Sequence, residues 1–293
     1  MIIRAAARSS LLSRIQVERV KDYLAQHIPG VKLVHVPVKT RGDIVRDKPI
    51  AEIGGVGVFE KEVNKLVLEG GADVAVHSMK DLPSRIDPRL EIVMAPPRGP
   101  VQDSLVPRRG LDPVDPTVMP QGTIIATGSP RRVGMLKKVN PGLVFKGIRG
   151  NLDTRLRKLD DGYADYLVAA EAGLERLGVE RPRLVLDAKK YLPSPGQGII
   201  AVVALKDSPI AGLLKQVSHR RTHVEMLAER EFLKTMDTGC STPIAGYAEA
   251  GGNRIIFRAA YYGSEPVFAG VEDADPVEAG RRAAEALRRG LEG

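Results

Sequence analysis

The chain has 293 residues, a formal net charge of +8, 4% aromatic residues and no tryptophan. That length accommodates two or three domains, each with its own core, and no stretch approaches the roughly 20 apolar residues of a membrane span. The excess positive charge suits an anionic partner, but the basic residues are dispersed and few aromatics are available to stack bases, which argues against nucleic acid. A single cysteine, Cys240, leaves no internal disulfide and no thiolate-clustered zinc site. Abundant arginine with scarce Asn, Gln and Cys hints at a heat-adapted source.

Short apolar strands alternate with amphipathic helices through the first two-thirds of the chain. Residues 2–7 read as a strand rather than as the apolar core of an export signal, so a cytoplasmic protein is expected. Ser9 and Ser10 offer an N-cap to a helix over about 11–28, with Leu12, Ile15, Val20 and Leu24 on one face. Residues 32–38 form the next strand, a Gly-rich loop covers 54–57, and Phe59, Val63, Leu66 and Val67 mark a second helix. A strand over 72–76 runs directly into His77-Ser78-Met79-Lys80-Asp81-Leu82-Pro83. After the break at 96–100 the alternation restarts, with strands over 123–127, 143–148 and 165–170 and helices opening at Ser129-Pro130 and near Asn151. A second Pro/Gly break, Leu192 to Gly198, precedes a buried-type strand over 199–205. The last part reads as α+β: a helix over about 222–236, strands over 254–262 and 267–271, and a basic helix over 276–291.

Such alternation means α/β layers with mixed, largely parallel sheets. The two breaks suggest two hinged lobes around a cleft. The expected domains are 1–96 with 198–218, then 100–194, then a small C-terminal α+β domain over 220–293. In open α/β sheets ligands gather beyond the carboxyl ends of strands, and three such ends carry polar clusters. Lys80 and Asp81 are adjacent; a carboxylate among basic residues stays ionised and can stabilise a cation or pass a proton, although a surface ion pair would look the same. Thr127-Gly128-Ser129-Pro130-Arg131-Arg132 combines helix-start N–H groups, hydroxyls and guanidinium forks, which suits anions but also describes an ordinary capped helix. Arg149-Gly150-Asn151-Leu152-Asp153-Thr154-Arg155 repeats the theme, and Arg8 ends the first strand. There is no phosphate-loop, metal-ligand or Ser-His-Asp signature. Cys240 sits among turn formers, which leaves open whether it is a packed small residue or an accessible thiol.

Taken together, Ala72–Pro83, Thr127–Arg132, Ile148–Leu156, Leu192–Gly198 and Gly239-Cys240-Ser241-Thr242-Pro243-Ile244 resemble the porphobilinogen deaminase (hydroxymethylbilane synthase) family, in that order and across essentially the whole chain. The resemblance implies two lobes like those of periplasmic binding proteins, a third domain carrying the cysteine, and a dipyrromethane cofactor in thioether linkage to Cys240. It implies a cytoplasmic, monomeric transferase of tetrapyrrole (porphyrin and heme) biosynthesis. Its reaction would join four porphobilinogen molecules by deamination onto that primer and release 1-hydroxymethylbilane by hydrolysis. It assigns Asp81 as the catalytic carboxylate. Lys80, Thr127, Ser129, Arg131, Arg132 and Arg155 would hold cofactor carboxylates, while Arg8, Ser10, Phe59, Arg149 and Gln197 would contact substrate. No metal, nucleic acid or membrane is implied. The chain departs from the family pattern at Glu52 and Val56, where lysines are common, at Gly128, where serine is common, and after Gly198, where an acidic residue is missing. The competing reading is a non-catalytic two-lobed anion-binding protein, which explains the arginines but neither Asp81 nor the Cys240 loop.

Overall fold

The computed structural model describes residues 1–39, 58–237 and 242–292. Two compact units emerge, one from Met1–Gly99 with Gly198–Met226, the other from Pro100–Gln197 with Leu227–Gly293.

In the first unit the chain runs β1 (Ile2–Arg8), α1 (Leu11–His27), β2 (Lys32–Val38), α2 (Val58–Leu68), β3 (Val74–Ser78), a 3-10 turn (Met79–Asp81) and β4 (Leu90–Met94), and it is completed by β10 (Ile200–Leu205) and α6 (Pro209–Gln216). The sheet order is β2-β1-β3-β10-β4. β1 pairs in parallel with β2 and β3, whereas β10 is antiparallel to β3 and β4. The apolar stripe of α1 (Val17, Val20, Leu24) packs on one face against Ile3, Val74, Val76 and Val202. Val63 and Val67 of α2 cover the other face, over Ala75, Ala201 and Val203. Burial on both faces explains why β10 reads as an unbroken apolar run and why β3 begins with one, Val74 to Val76. Truncating one such side chain, Leu24 for example, would cost roughly 2–5 kcal/mol.

In the second unit the order along the chain is β5 (Asp103–Pro107), β6 (Ile124–Ala126), α3 (Pro130–Val139), β7 (Val144–Lys146), α4 (Leu152–Asp160), β8 (Tyr166–Ala170), α5 (Glu171–Arg176) and β9 (Leu184–Val185). The sheet order is β7-β6-β8-β5-β9. Again two ladders are parallel (β6 with β7 and β8) and two antiparallel (β5 with β8 and β9). A three-stranded antiparallel sheet of β11 (Ile244–Gly251), β12 (Arg254–Tyr262) and β13 (Pro266–Asp273) follows helix α7 (Arg220–Met236) and is covered by α8 (Pro276–Glu292). Phe232 of α7 packs on Phe257 with ring centroids 5.0 Å apart. Gly134 lets α3 approach β12: a Cβ there would lie 2.3 Å from the Tyr262 carbonyl oxygen.

The α/β character and mixed sheets agree with the sequence reading, but within each described five-stranded sheet parallel and antiparallel ladders are equal in number rather than mostly parallel. Each sheet receives a strand that runs against the others, β10 in one and β5 in the other. β3 extends two residues beyond the expected strand because Ala201 and Ile200 of β10 pair with His77 and Ser78. β4, β5, β9, β11, α5 and α6 are absent from the sequence reading. β5, Asp-Ser-Leu-Val-Pro, holds residues that disfavour strands, and only partners distant in sequence stabilise it there.

Candidate active site

Arg8 closes β1, and Ser10 then caps α1, its hydroxyl accepting from Ser13 N at 3.3 Å. Arg8 is half-buried and engaged. On the neighbouring parallel strand, β3 ends in the 3-10 turn that carries Lys80 and Asp81. Met79 plugs that turn into the core with no exposure, and its N–H donates to Ile199 O at 3.0 Å. The Asp81 side chain is exposed and takes part in no hydrogen bond or ion pair among the described residues, whereas Lys80 is engaged. The adjacency of Lys80 and Asp81 is thus not a closed ion pair, and the acid faces solvent.

Behind the turn lies polar machinery that the sequence reading missed. His77, on β3, contacts Asn64 Oδ1 through Nε2 at 2.9 Å, and Asn64 donates its amide to Glu60. Because Asn64 presents N–H to a carboxylate, its carbonyl is left to face His77, so the imidazole carries its proton on Nε2. Burial drives the His77 value down to about 4, and the ring is neutral at physiological pH. Gln16, buried within the apolar stripe of α1, donates to Ser78 Oγ at 2.7 Å. The available signal was a polar residue inside an apolar helical face, at Gln16 beside Val17 and Val20 and at Asn64 between Val63 and Val67.

In the second unit, Thr127 follows β6 and is buried; its hydroxyl accepts from Ser129 N at 3.2 Å, while the Ser129 hydroxyl caps α3. Pro130 occupies the first helical position, as expected. Arg131 and Arg132 point inward, not to the surface. Arg131 Nη2 lies 2.6 Å from Asp103 Oδ2 and Arg132 Nη2 lies 2.6 Å from Asp103 Oδ1. They also donate to the carbonyls of Leu192 and Val168. Asp103 is fully buried. Burial alone would raise its value, but the two guanidinium groups outweigh that and hold it well below the usual carboxylate range. One carboxylate faces two guanidinium groups, so this cluster retains an excess of positive charge. Asp103 was not singled out from sequence, since its partners lie 28 and 29 residues away.

Gln197, expected to contact substrate, is fully buried, and its amide donates to Val101 O at 2.8 Å, Gln102 O at 3.2 Å and Asp103 Oδ1 at 3.0 Å. It fastens the segment entering this unit to the segment leaving it. Arg149 is exposed beyond β7. Gly150 adopts φ +108°, a left-handed region that favours glycine, and its carbonyl accepts from Arg155 Nε at 2.7 Å. A cavity of about 730 Å³ opens at the start of α3, lined by Thr127, Ser129, Lys137, Pro243, Tyr262 and Ser264 among others. Gly128 also lines it, and a Cβ there would sit 3.2 Å from Ile148 O. Cys240, Glu52, Val56 and the side chain of Phe59 lie outside the described residues.

Among the described residues no group of three or more His, Cys, Asp or Glu could hold a metal ion, and no helix is long and apolar enough to cross a membrane. Mixed α/β sheets whose strand ends collect hydroxyls, cations and a carboxylate unengaged among the described residues define the class: an α/β protein suited to handling an anionic ligand. Comparison with known proteins makes this specific. Residues 3–211 match the porphobilinogen deaminase dipyromethane cofactor binding domain, and residues 223–289 match the C-terminal domain of porphobilinogen deaminase. A probable porphobilinogen deaminase of Hyperthermus butylicus is 48% identical over 99% of this chain and 97% of its own length. One of Ignicoccus hospitalis is 44% identical over 98% and 96%. A crystal structure of the methionine binding protein MetQ superposes with a TM-score of 0.46 at 12% identity, covering 74% of this chain and 89% of that one. The chain belongs to the porphobilinogen deaminase family.

Proposed function

We propose that this chain is a hydroxymethylbilane synthase, a transferase that condenses four porphobilinogen molecules and releases a linear tetrapyrrole. The observation that carries the catalytic assignment is the exposed carboxylate of Asp81, unengaged among the described residues, on a turn anchored by buried Met79. In each addition the aminomethyl C–N bond of porphobilinogen breaks and ammonia leaves. A C–C bond forms between that methylene and a free pyrrole α-carbon, whose proton is lost. Asp81 accepts hydrogen bonds from the pyrrole N–H and offsets the positive charge that develops as ammonia departs. Lys80 lies beside it to hold a side-chain carboxylate, and Arg8, Ser10 and Arg149 are assigned to substrate carboxylates. Water completes the final release as a hydroxymethyl group.

The family cofactor, dipyrromethane, carries several carboxylates. The residues here fit such a group: the Arg131–Arg132–Asp103 cluster keeps an excess positive charge, and hydroxyls and Lys137 line the cavity at the start of α3. Thr127, Ser129, Arg131, Arg132, Lys80 and Arg155 would hold it, with Cys240 as its thioether anchor. When bound, it supplies the first nucleophilic α-carbon. We assign the chain to the cytoplasm as a monomer, without nucleic-acid or membrane partners.

The test is intact mass together with turnover. Purified protein, or protein incubated with porphobilinogen, should carry an added dipyrromethane mass that Cys240→Ala abolishes, and it should release hydroxymethylbilane. Unmodified, inactive protein after such incubation rejects the assignment.

A further inference from the structure

The Asp81 carboxylate makes no bond of its own among the described residues, so its position is inherited from the backbone of the Met79–Asp81 turn. Successive residues of a strand project to opposite faces of the sheet, so the last two residues of β3 can be gripped from both sides. Both are. His77 shares the α2 face and meets Asn64 at 2.9 Å; Ser78 shares the α1 face and accepts from Gln16 Nε2 at 2.7 Å. Glu60 in turn orients Asn64. The next residue, Met79, is tied through its N–H to Ile199, and Leu82 N closes the turn onto Met79 O at 3.0 Å. The matched strand of the second unit shows that a sheet of this order does not need such anchors. β8 ends in Ala169 and Ala170, which offer no side-chain polar atoms.

We propose that Gln16 and Asn64 are positioning residues for the proposed deamination: acting through Ser78 and His77 from opposite faces of the sheet, they hold the turn on which the Asp81 carboxylate is aimed. The inference rests on the assignment of Asp81 made above. A neutral ring suits this role, because a charged imidazole would donate from both nitrogens and would be costly to bury; burial that holds His77 near 4 keeps it neutral. Asn64, presenting a donor to Glu60 and an acceptor to His77, is the side chain that can join a carboxylate to a neutral imidazole N–H.

A buried polar pair also contributes to stability, so the experiment must separate aim from folding. Removing one partner strands the other, while making both apolar is close to neutral for stability. Gln16→Leu, Ser78→Ala and the double change should therefore be compared with wild type in full-length, cofactor-loaded protein, at a temperature well below every unfolding midpoint. Positioning predicts that the double change restores the midpoint lost in Gln16→Leu but not the rate. Turnover should stay roughly 10-fold to 100-fold down with KM for porphobilinogen and the adduct mass unchanged, as a small misplacement of a reacting group would give. Asn64→Leu should show the same split, kcat falling without KM. Recovery of kcat together with the midpoint in the double variant, or wild-type kcat in Gln16→Leu and Asn64→Leu, overturns the proposal. In either case an active wild type and an inactive Asp81→Ala leave the proposed function standing. A wild type that carries the adduct but releases no tetrapyrrole removes both.

Discussion

The two α/β units share one sheet plan and treat the acid that follows a matched strand in opposite ways. In both, a strand pairs in parallel on either side (β1 with β2 and β3; β6 with β7 and β8) and an antiparallel strand follows (β10; β5). After β3 comes Asp81, exposed and unengaged among the described residues. After the matched β8 comes Glu171, buried, paired with Arg183 at 2.5 Å and accepting from Ser104 at 2.5 Å. Burial alone would raise the Glu171 value, but those partners bring it below the ordinary one. The antiparallel strands differ too: β10 is wholly apolar, while β5 opens with Asp103, spent on two arginines. Matched parts of the two sheets thus present an acid in one unit, three residues beyond β3, and neutralise acids against cations in the other. An acid that must meet a developing charge is left without partners, since each existing partner would have to be given up in the transition state.

This contrast can be broken, beginning with the largest effect. Asp81→Ala should lower kcat by roughly 10²- to 10⁴-fold with little change in unfolding midpoint, because an exposed side chain in no ion pair among the described residues is removed. Steady-state kinetics and thermal unfolding on the same sample check it, and substantial turnover would end the role given to Asp81. The mirror change in the second unit, Asp103→Ala, should act on folding first. It leaves two buried guanidinium groups facing one another and should cost about 3–5 kcal/mol, read by denaturant unfolding. A variant as stable as wild type would mean the arginines are held by something other than Asp103.

A third outcome concerns pH. His77 is held near 4 in the folded protein against 6.5 for the free group. The unfolded chain therefore takes up the proton first as pH falls. Stability drops between about 6.5 and 4, by up to about 3 kcal/mol, and this contribution levels off below that. The difference between wild type and His77→Gln, followed by unfolding across that range, isolates it from Asp103, whose protonation begins lower. Smallest of all, Gly128→Ser should shift stability by less than about 1 kcal/mol, because the new Cβ meets only Ile148 O at 3.2 Å and the site is exposed. A large loss would mean that the helix start is more tightly built than its neighbours indicate.

Much of the architecture was legible in the chain because periodicity is local. The span of α1 with Val20 and Leu24 of its stripe, the strand of residues 32–38, the Ser129-Pro130 helix start and the C-terminal helix needed only neighbours three or four residues apart, or alternate ones, whereas Val17 rather than Leu12 and Ile15 completes the buried stripe of α1. β5 was not legible, because Asp103 in a strand makes sense only beside arginines that follow a different strand. The surroundings of Gln197 were not legible for the same reason: a polar side chain in a Pro/Gly break looks available, and only the folded segment shows its amide donating to Val101, Gln102 and Asp103.

What the sequence determined by itself was the order of most strands and helices, the polar clusters at their ends and, through their combination, the family. These depend on local spacing and on the residue types present. Tertiary structure decided which charges are free and which are spent. Arg131, Arg132 and Gln197 turned out to be engaged inside one unit, Asp81 exposed, and His77 neutral. Pairing and burial are relations between residues far apart in the chain, and the energy of a charge is set by those relations rather than by its neighbours in sequence.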